Sequence, residues 1–257
     1  MKKIFVFLFS LAITFAPFSA SASDISTKIG IIGAMDIELE TLKQAAEISD
    51  KITRAGMEFC EGKLGDTEVV IVKCGMGKVN AGICAQILID LFNVTHVINT
   101  GVAGSLNNAL NIGDIVVAVD IVQHDYDVTP IGFRKGEIPY TGLVAFKTDE
   151  SLRTKAVEAV RNAAPGIHVI EGRICTGDQF ISTKEQKEKI ISSFGGDCCE
   201  MESGAVAQVC YLNHVPFVII RAISDKADAT ETPDFHEFES KAAKLCAAAT
   251  EYMVKNF

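Results

Sequence analysis

Residues 216–228 read PFVIIRAISDKAD, an apolar run that stops abruptly at Arg221, Ser224 and Asp225. Phe217 to Ile220 are four consecutive apolar, mostly β-branched residues that leave no side for water, the pattern of a strand buried on both faces. The polar residues that follow then stand at the strand's C-terminal end, the edge at which open α/β sheets bind ligands. An ionisable Asp225 set against such a run is a candidate functional group. The alternative use of Ser224 or Asp225 is to cap the turn that follows.

The same pattern recurs on either side. KIGIIG (28–33) reads as a buried strand ending in glycine, followed by a helix over 36–46 with Glu38 in its first turn. Acids there also complement the helix dipole, which needs no catalysis. Residues 56–64 and 66–74 form a hairpin, and GMGKVNAG (75–82) leads into a helix on which Val79, Ile83, Ile87 and Leu91 recur every four positions. Two glycines before a helix suggest an anion-binding turn, although the stretch matches neither a Walker loop nor G-x-G-x-x-G. A strand at 96–99 closes in TGVAGS (100–105), where Gly101 and Gly104 allow a close backbone approach. A strand over 115–119 leads to a long polar loop at 124–142, a length that signals function or an interface. A helix over 151–163, a strand over 168–175, the loop TGDQFIS (176–182) with Phe180, and a short charged helix over 184–193 come next. In CCEMESGAVAQVCYL (198–212), Glu200 and Glu202 stand two apart at the entrance of an apolar helix. Such close acids need solvent, a base or a ligand's hydroxyls. The final helix carries Phe238, Ala242, Leu245 and Ala249 on one face. Strands alternating with helices predict one α/β domain with a central, mostly parallel or mixed twisted sheet flanked by helices.

The chain has 257 residues, 48% of them hydrophobic, with only six prolines and no linker-like run, so one domain is expected over residues 23–257. The first 22 residues differ. Lys2 and Lys3 precede an apolar stretch from Ile4 to Phe15, and Ala20-Ser21-Ala22 supplies a small-residue exit, the pattern of a cleaved signal peptide. The expected protein is therefore exported, periplasmic or secreted. Its formal charge of −9, more acidic still without those two lysines, argues against nucleic acid or an anionic membrane as partner. Eight cysteines sit mostly within apolar runs, which favours buried free thiols over disulfides. No C-x-x-C and no histidine spacing suggests a metal site, and no cofactor is predicted.

Taken together, KIGIIGAMDIELE, GMGKVNAG, NTGVAGSL, HDYDVT, TGDQFI, EMES and RAISDKAD closely resemble the bacterial 5′-methylthioadenosine/S-adenosylhomocysteine nucleosidases of the purine nucleoside phosphorylase superfamily. The resemblance implies hydrolysis of the adenine N-glycosidic bond of a small-molecule adenine nucleoside. Motif by motif, it makes Asp225 the general acid at adenine N7 and Glu38 the residue that activates water. Glu202 would hold the ribose hydroxyls, with Met201 against the sugar and Glu200 nearby. Phe180 would stack on the base while Phe180 and Ile181 read its edge. Ser224 and Arg221 would support Asp225 and the water; Met76, Val102 and Gly104 would complete the substrate wall, and Phe235 would close the alkylthio side. Val128, Ile131 and Pro139 would come from the second subunit of a homodimer. The chemistry is coherent: adenine leaves poorly as an anion, so one acid delivers a proton while a second carboxylate serves the water.

The sequence departs from this pattern at Val102, where many such enzymes have Ser, at Asp36-Ile37, and at Ile131, where an aromatic is frequent. These bear on substrate preference more than on reaction type. The alternatives are a phosphorylase, a hydrolase of another adenine nucleoside such as aminodeoxyfutalosine, and an exported nucleoside-binding or adhesion protein without turnover. A carboxylate at Glu38, with no arginine in that first glycine loop, suits water rather than phosphate.

Overall fold

The apolar run at 217–220 is the first half of a nine-residue strand that continues through Arg221 to Asp225. The computed structural model describes residues 26–228 and 235–257. Expectations for residues 1–22, and for the side chain of Phe235, lie outside the described residues.

Among the described residues the strands are β1 (Lys28–Gly33), β2 (Glu47–Arg54), β3 (Met57–Leu64), β4 (Thr67–Lys73), β5 (His96–Ser105), β6 (Ile115–Gln123), β7 (Ala145–Lys147), β8 (Val169–Thr176), β9 (Cys198–Glu200) and β10 (Phe217–Asp225). The helices are α1 (Asp36–Ala45), α2 (Lys78–Asp90), α3 (Glu150–Ala163), α4 (Lys184–Phe194), α5 (Ser203–Leu212) and α6 (Phe235–Lys255). β1 lies parallel to both β4 and β5, and the antiparallel strands β3 and β2 extend the sheet beyond β4. On the other side the sheet closes on itself. β10 pairs with both β5 and β6, β6 with β8, β8 with β9, and β9 returns to β5. The mixed sheet is as expected, and the closed five-strand ring is an addition to it.

Both faces are covered, which is why the central strands carry no polar alternation. Along β10, Phe217, Ile219 and Ile223 join a cluster with Ala81, Cys84 and Leu88 of α2 and Val206 and Cys210 of α5. Their neighbours Val218, Ile220 and Ala222 join Leu39 of α1, Ala156 of α3 and Cys246 of α6. Successive side chains of a strand point to opposite faces, so one continuous apolar run feeds two cores. All eight cysteines are buried and unpaired, as their apolar settings predict.

Several local expectations need correction. β2, EISDKITR, is a polar edge strand with no apolar alternation to mark it. β7 and β9 are three residues each, too short for periodicity to reveal. The glycine-containing segment 100–105 is not a loop closing a strand but the second half of β5 itself. The four-residue stripe on α2 is not its core face either: Val79 is 72% and Ile83 42% exposed, while Ala81, Cys84, Ala85 and Leu88 are buried.

Candidate active site

β1, β5, β8, β9 and β10 present their C-terminal ends around one cavity of about 260 Å³. From β1 and the start of α1 come Ala34, Met35 and Glu38; from the end of β5, Val102, Ala103 and Gly104. The segment after β8 contributes Gln179, Phe180 and Ile181, and β9 with its exit contributes Cys199, Glu200, Met201 and Glu202. Met76, Ser224, Asp225 and Glu239 complete the wall.

Glu38 is buried, yet its carboxylate is fully addressed by backbone. Oε2 accepts from the amides of Ala34 at 2.7 Å and Met35 at 2.9 Å, and Oε1 from that of Val102 at 3.0 Å. Burial raises its pKa, against the Arg221 cation and those three amides. A carboxylate biased upward yet held in place suits a proton acceptor.

Behind it lies a buried ionic cluster. Arg221 is 1% exposed, and its Nη2 donates to Asn99 Oδ1 at 2.6 Å, Glu200 Oε2 at 2.7 Å and Ser203 Oγ at 3.1 Å. Glu200 also accepts from the Thr176 hydroxyl, the Glu202 amide and both the amide and hydroxyl of Ser203. Burial alone would push Glu200 up, but Arg221 and these donors hold it below the ordinary carboxylate range. Glu202 is the opposite member of the pair. It accepts one amide, Gly77 at 2.9 Å, and stands 3.9 Å from Arg221. Burial, and then the neighbouring Glu200 charge, raise it to about 7. The two acids that the sequence places two residues apart therefore divide their work: Glu200 anchors Arg221, and Glu202 faces the cavity.

Asp225 Oδ2 accepts from Ser224 Oγ at 2.9 Å, and Oδ1 from the Ala227 amide at 2.8 Å. The glycines of β5 make room for these acids. A Cβ on Gly101 would lie 2.3 Å from Glu38 Oε1 and 2.5 Å from an Arg221 Nη atom; one on Gly104 would lie 2.9 Å from Asp225 Oδ1. The close approach foreseen for TGVAGS is thus made by the protein's own carboxylates.

The same is true of the GMGKVNAG turn. The amides of Gly77 and Lys78 are taken by Glu202 and Asp178, so the turn binds internal anions rather than an external phosphate.

Of the expected site residues, Asp225, Glu38, Glu202, Met201, Glu200, Phe180, Ile181, Ser224, Met76, Val102 and Gly104 all line this cavity. Arg221 lies behind the wall rather than in it. Val128, Ile131 and Pro139 lie between β6 and β7 and do not line the cavity of their own chain. Sequence reasoning missed Asn99 and Ser203, which orient Arg221, and Glu239, a further acid on the wall. A lone Asn inside the apolar run HVINT was the available signal for the first; Glu239 is masked by the helical pattern around it.

The phosphorylase superfamily model matches residues 28–255. The 5′-methylthioadenosine/S-adenosylhomocysteine nucleosidase of Staphylococcus haemolyticus is 40% identical over 228 residues, covering 88% of this chain and 99% of that protein. The chain belongs to this nucleosidase family. The crystal structure of the Neisseria meningitidis nucleosidase in complex with methylthio-immucillin-A superposes with a TM-score of 0.86 at 35% identity, covering 90% of this chain and all of that one. Futalosine hydrolase of Helicobacter pylori superposes as well, with a TM-score of 0.85 at 36% identity, covering 91% and 100%. The nucleosidase fold and the convergence of acids at its strand ends thus agree with the motifs that suggested them.

Proposed function

We propose that this nucleosidase hydrolyses the N-glycosidic bond of 5′-methylthioadenosine and S-adenosylhomocysteine, releasing adenine and methylthioribose or S-ribosylhomocysteine. The observation that carries this reading is the charge of the cavity: its described wall holds Glu38, Glu200, Glu202, Asp225 and Glu239, and neither Lys nor Arg. A phosphate nucleophile would meet carboxylates and no cation, whereas water needs the acceptor that Glu38 provides. Asp225 delivers a proton to adenine N7 as the glycosidic bond breaks. Glu202 takes the ribose hydroxyls, Glu38 removes the proton of the attacking water, and the Phe180 ring, 57% exposed along the wall, stacks on the base. Each of the two proton transfers contributes on the order of 10² to 10⁴ in rate.

Adenine release from 5′-methylthioadenosine by the purified protein, with and without phosphate, tests the reaction. A requirement for phosphate would transfer the reading to the phosphorylases and remove Glu38 from its role. A second substrate is favoured by the similarity to futalosine hydrolase, which equals that to the nucleosidases. Comparing kcat/KM for aminodeoxyfutalosine and 5′-methylthioadenosine ranks the two.

Two further features belong to this reading. The protein works as a homodimer, supported by the exposed apolar residues Met76 on the cavity wall, Val79 and Ile83 on α2, and Ile131. Val128, Ile131 and Pro139 would then complete the partner's alkylthio side. A monomer with full activity by light scattering and assay would sink this. The protein is exported, supported by residues 1–22, and mass spectrometry of the secreted or periplasmic form should find Ser23 at the N-terminus.

A further inference from the structure

Gly77 and Lys78 are adjacent at the start of α2, and their amides hold two different parts of the cavity wall. The Gly77 amide donates to Glu202 Oε1 at 2.9 Å and the Lys78 amide to Asp178 Oδ1 at 2.8 Å. Asp178 immediately precedes the Gln179–Ile181 strip, and its own amide donates to Asp125 Oδ2 at 2.9 Å. Asp125 Oδ1 in turn accepts from Lys78 Nζ at 2.6 Å, and that ammonium also reaches Gln123 Oε1 at 3.2 Å. Lys78, Asp125 and Asp178 therefore close a ring of hydrogen bonds that joins three chain segments. The Lys78–Asp125 pair is mostly buried, where an ion pair is screened less than at the surface. Gly77 sits at a φ of +95°, and a Cβ there would lie 3.1 Å from Asp178 Oδ1, so the turn is shaped around this carboxylate.

We propose that Asp178, locked by Lys78 and Asp125, is a positioning residue that fixes the base-facing strip Gln179–Ile181 at a set distance from the ribose-facing carboxylate Glu202. Because neighbouring amides of one turn hold both, the base and ribose subsites cannot drift independently. The role rests on the functional reading above, in which that strip faces adenine.

Asp178→Ala in the full chain should raise both the KM for 5′-methylthioadenosine and the Kd for adenine by about tenfold, the scale of one lost charge-assisted anchor. kcat should change by less than about threefold, since binding common to ground and transition state is what is lost. Asp178→Asn, which keeps an oxygen for the Lys78 amide, should recover most of the adenine affinity. A folded Asp178→Ala enzyme with wild-type KM and Kd but a lowered Tm would overturn the role. If Asp178→Ala does not fold, Lys78→Met carries the test, because it leaves the Lys78 amide in place and removes the ammonium's grip on Asp125 together with its contact to Gln123. It should raise the same two constants by about threefold, and unchanged constants would overturn the proposal. Wild-type protein that releases no adenine would instead overturn the functional reading, and this role with it.

Discussion

Gly101→Ala adds a single methyl group where β5 offers it no room. The new Cβ would stand 2.3 Å from Glu38 Oε1 and 2.5 Å from an Arg221 Nη atom, whereas ordinary contact begins at 3.4 Å. Both groups, or β5 itself, must give by about 1 Å. Arg221 is held through Nη2 by Asn99, Glu200 and Ser203, and Glu38 by three backbone amides, so the methyl group displaces the guanidinium and, with it, Glu38. Its 3.0 Å bond from the Val102 amide then breaks. Overpacking a filled interior costs about 1 to 3 kcal/mol, which for a domain of this size lowers Tm by roughly 2 to 12 °C. The catalytic loss should be larger in proportion, because a displacement of about 1 Å at a reacting group can cost on the order of 10²-fold in rate. Steady-state adenine release should therefore show kcat reduced about 10²-fold, with the Kd for adenine unchanged because the base strip is untouched. A folded Gly101→Ala enzyme with kcat within about threefold of wild type would refute the assignment of Glu38 as the group serving water.

Other substitutions separate the acids from one another. Asp225→Asn keeps the size and an acceptor for the Ala227 amide but delivers no proton; kcat should fall about 10² to 10⁴-fold with thermal unfolding little changed, and wild-type turnover would remove Asp225 as the acid. Arg221→Met strips Glu38, Glu200 and Glu202 of their shared cation and should destabilise by about 3 to 5 kcal/mol; the deficit, read by urea unfolding, should shrink at pH 5 relative to pH 8, where the acids cannot discharge. Glu202 titrates at about 7 in the fold against an ordinary 4.5, so the stability it contributes is complete below 4.5 and is lost as pH rises through about 7. Glu202→Gln should flatten that slope, worth on the order of 3 kcal/mol for one isolated group, and an unaltered pH–stability curve would show that another group titrates there.

The acids that meet in the cavity were legible because each stands where an apolar strand or its exit turns polar, as Asp225 does after FVII and Glu38 after KIGIIG. Their partners were less legible. Asn99 and Ser203 are short polar residues whose value depends on facing Arg221, and Thr176 serves it only through Glu200, relations between segments that no local window contains. The α2 stripe misled for a physical reason: the helix turns Ala81, Cys84, Ala85 and Leu88 toward the core it shares with α5 and leaves Val79 and Ile83 outside, so the facing of the helix, not the four-residue spacing, decides the buried side. Ring closure was invisible because β9, three residues long, supplies one of its joints.

That ring also sets an order of events. Its closing pairings join residues 97–104 to 217–225, about 120 positions apart, and the strand that makes them is the last in sequence among the described residues. Before that strand joins, Glu38, Glu200 and Glu202 lack the cation that reconciles them, since Arg221 stands within it. Until that strand inserts, β5 and β6 each lack their β10 partner, a state prone to mispairing. Insertion of one nine-residue segment then closes the ring, brings the Arg221 cation among the acids and places Asp225 opposite Gly104 in the same step. The site thus depends on one strand for both the cation that reconciles its acids and the acid at its end.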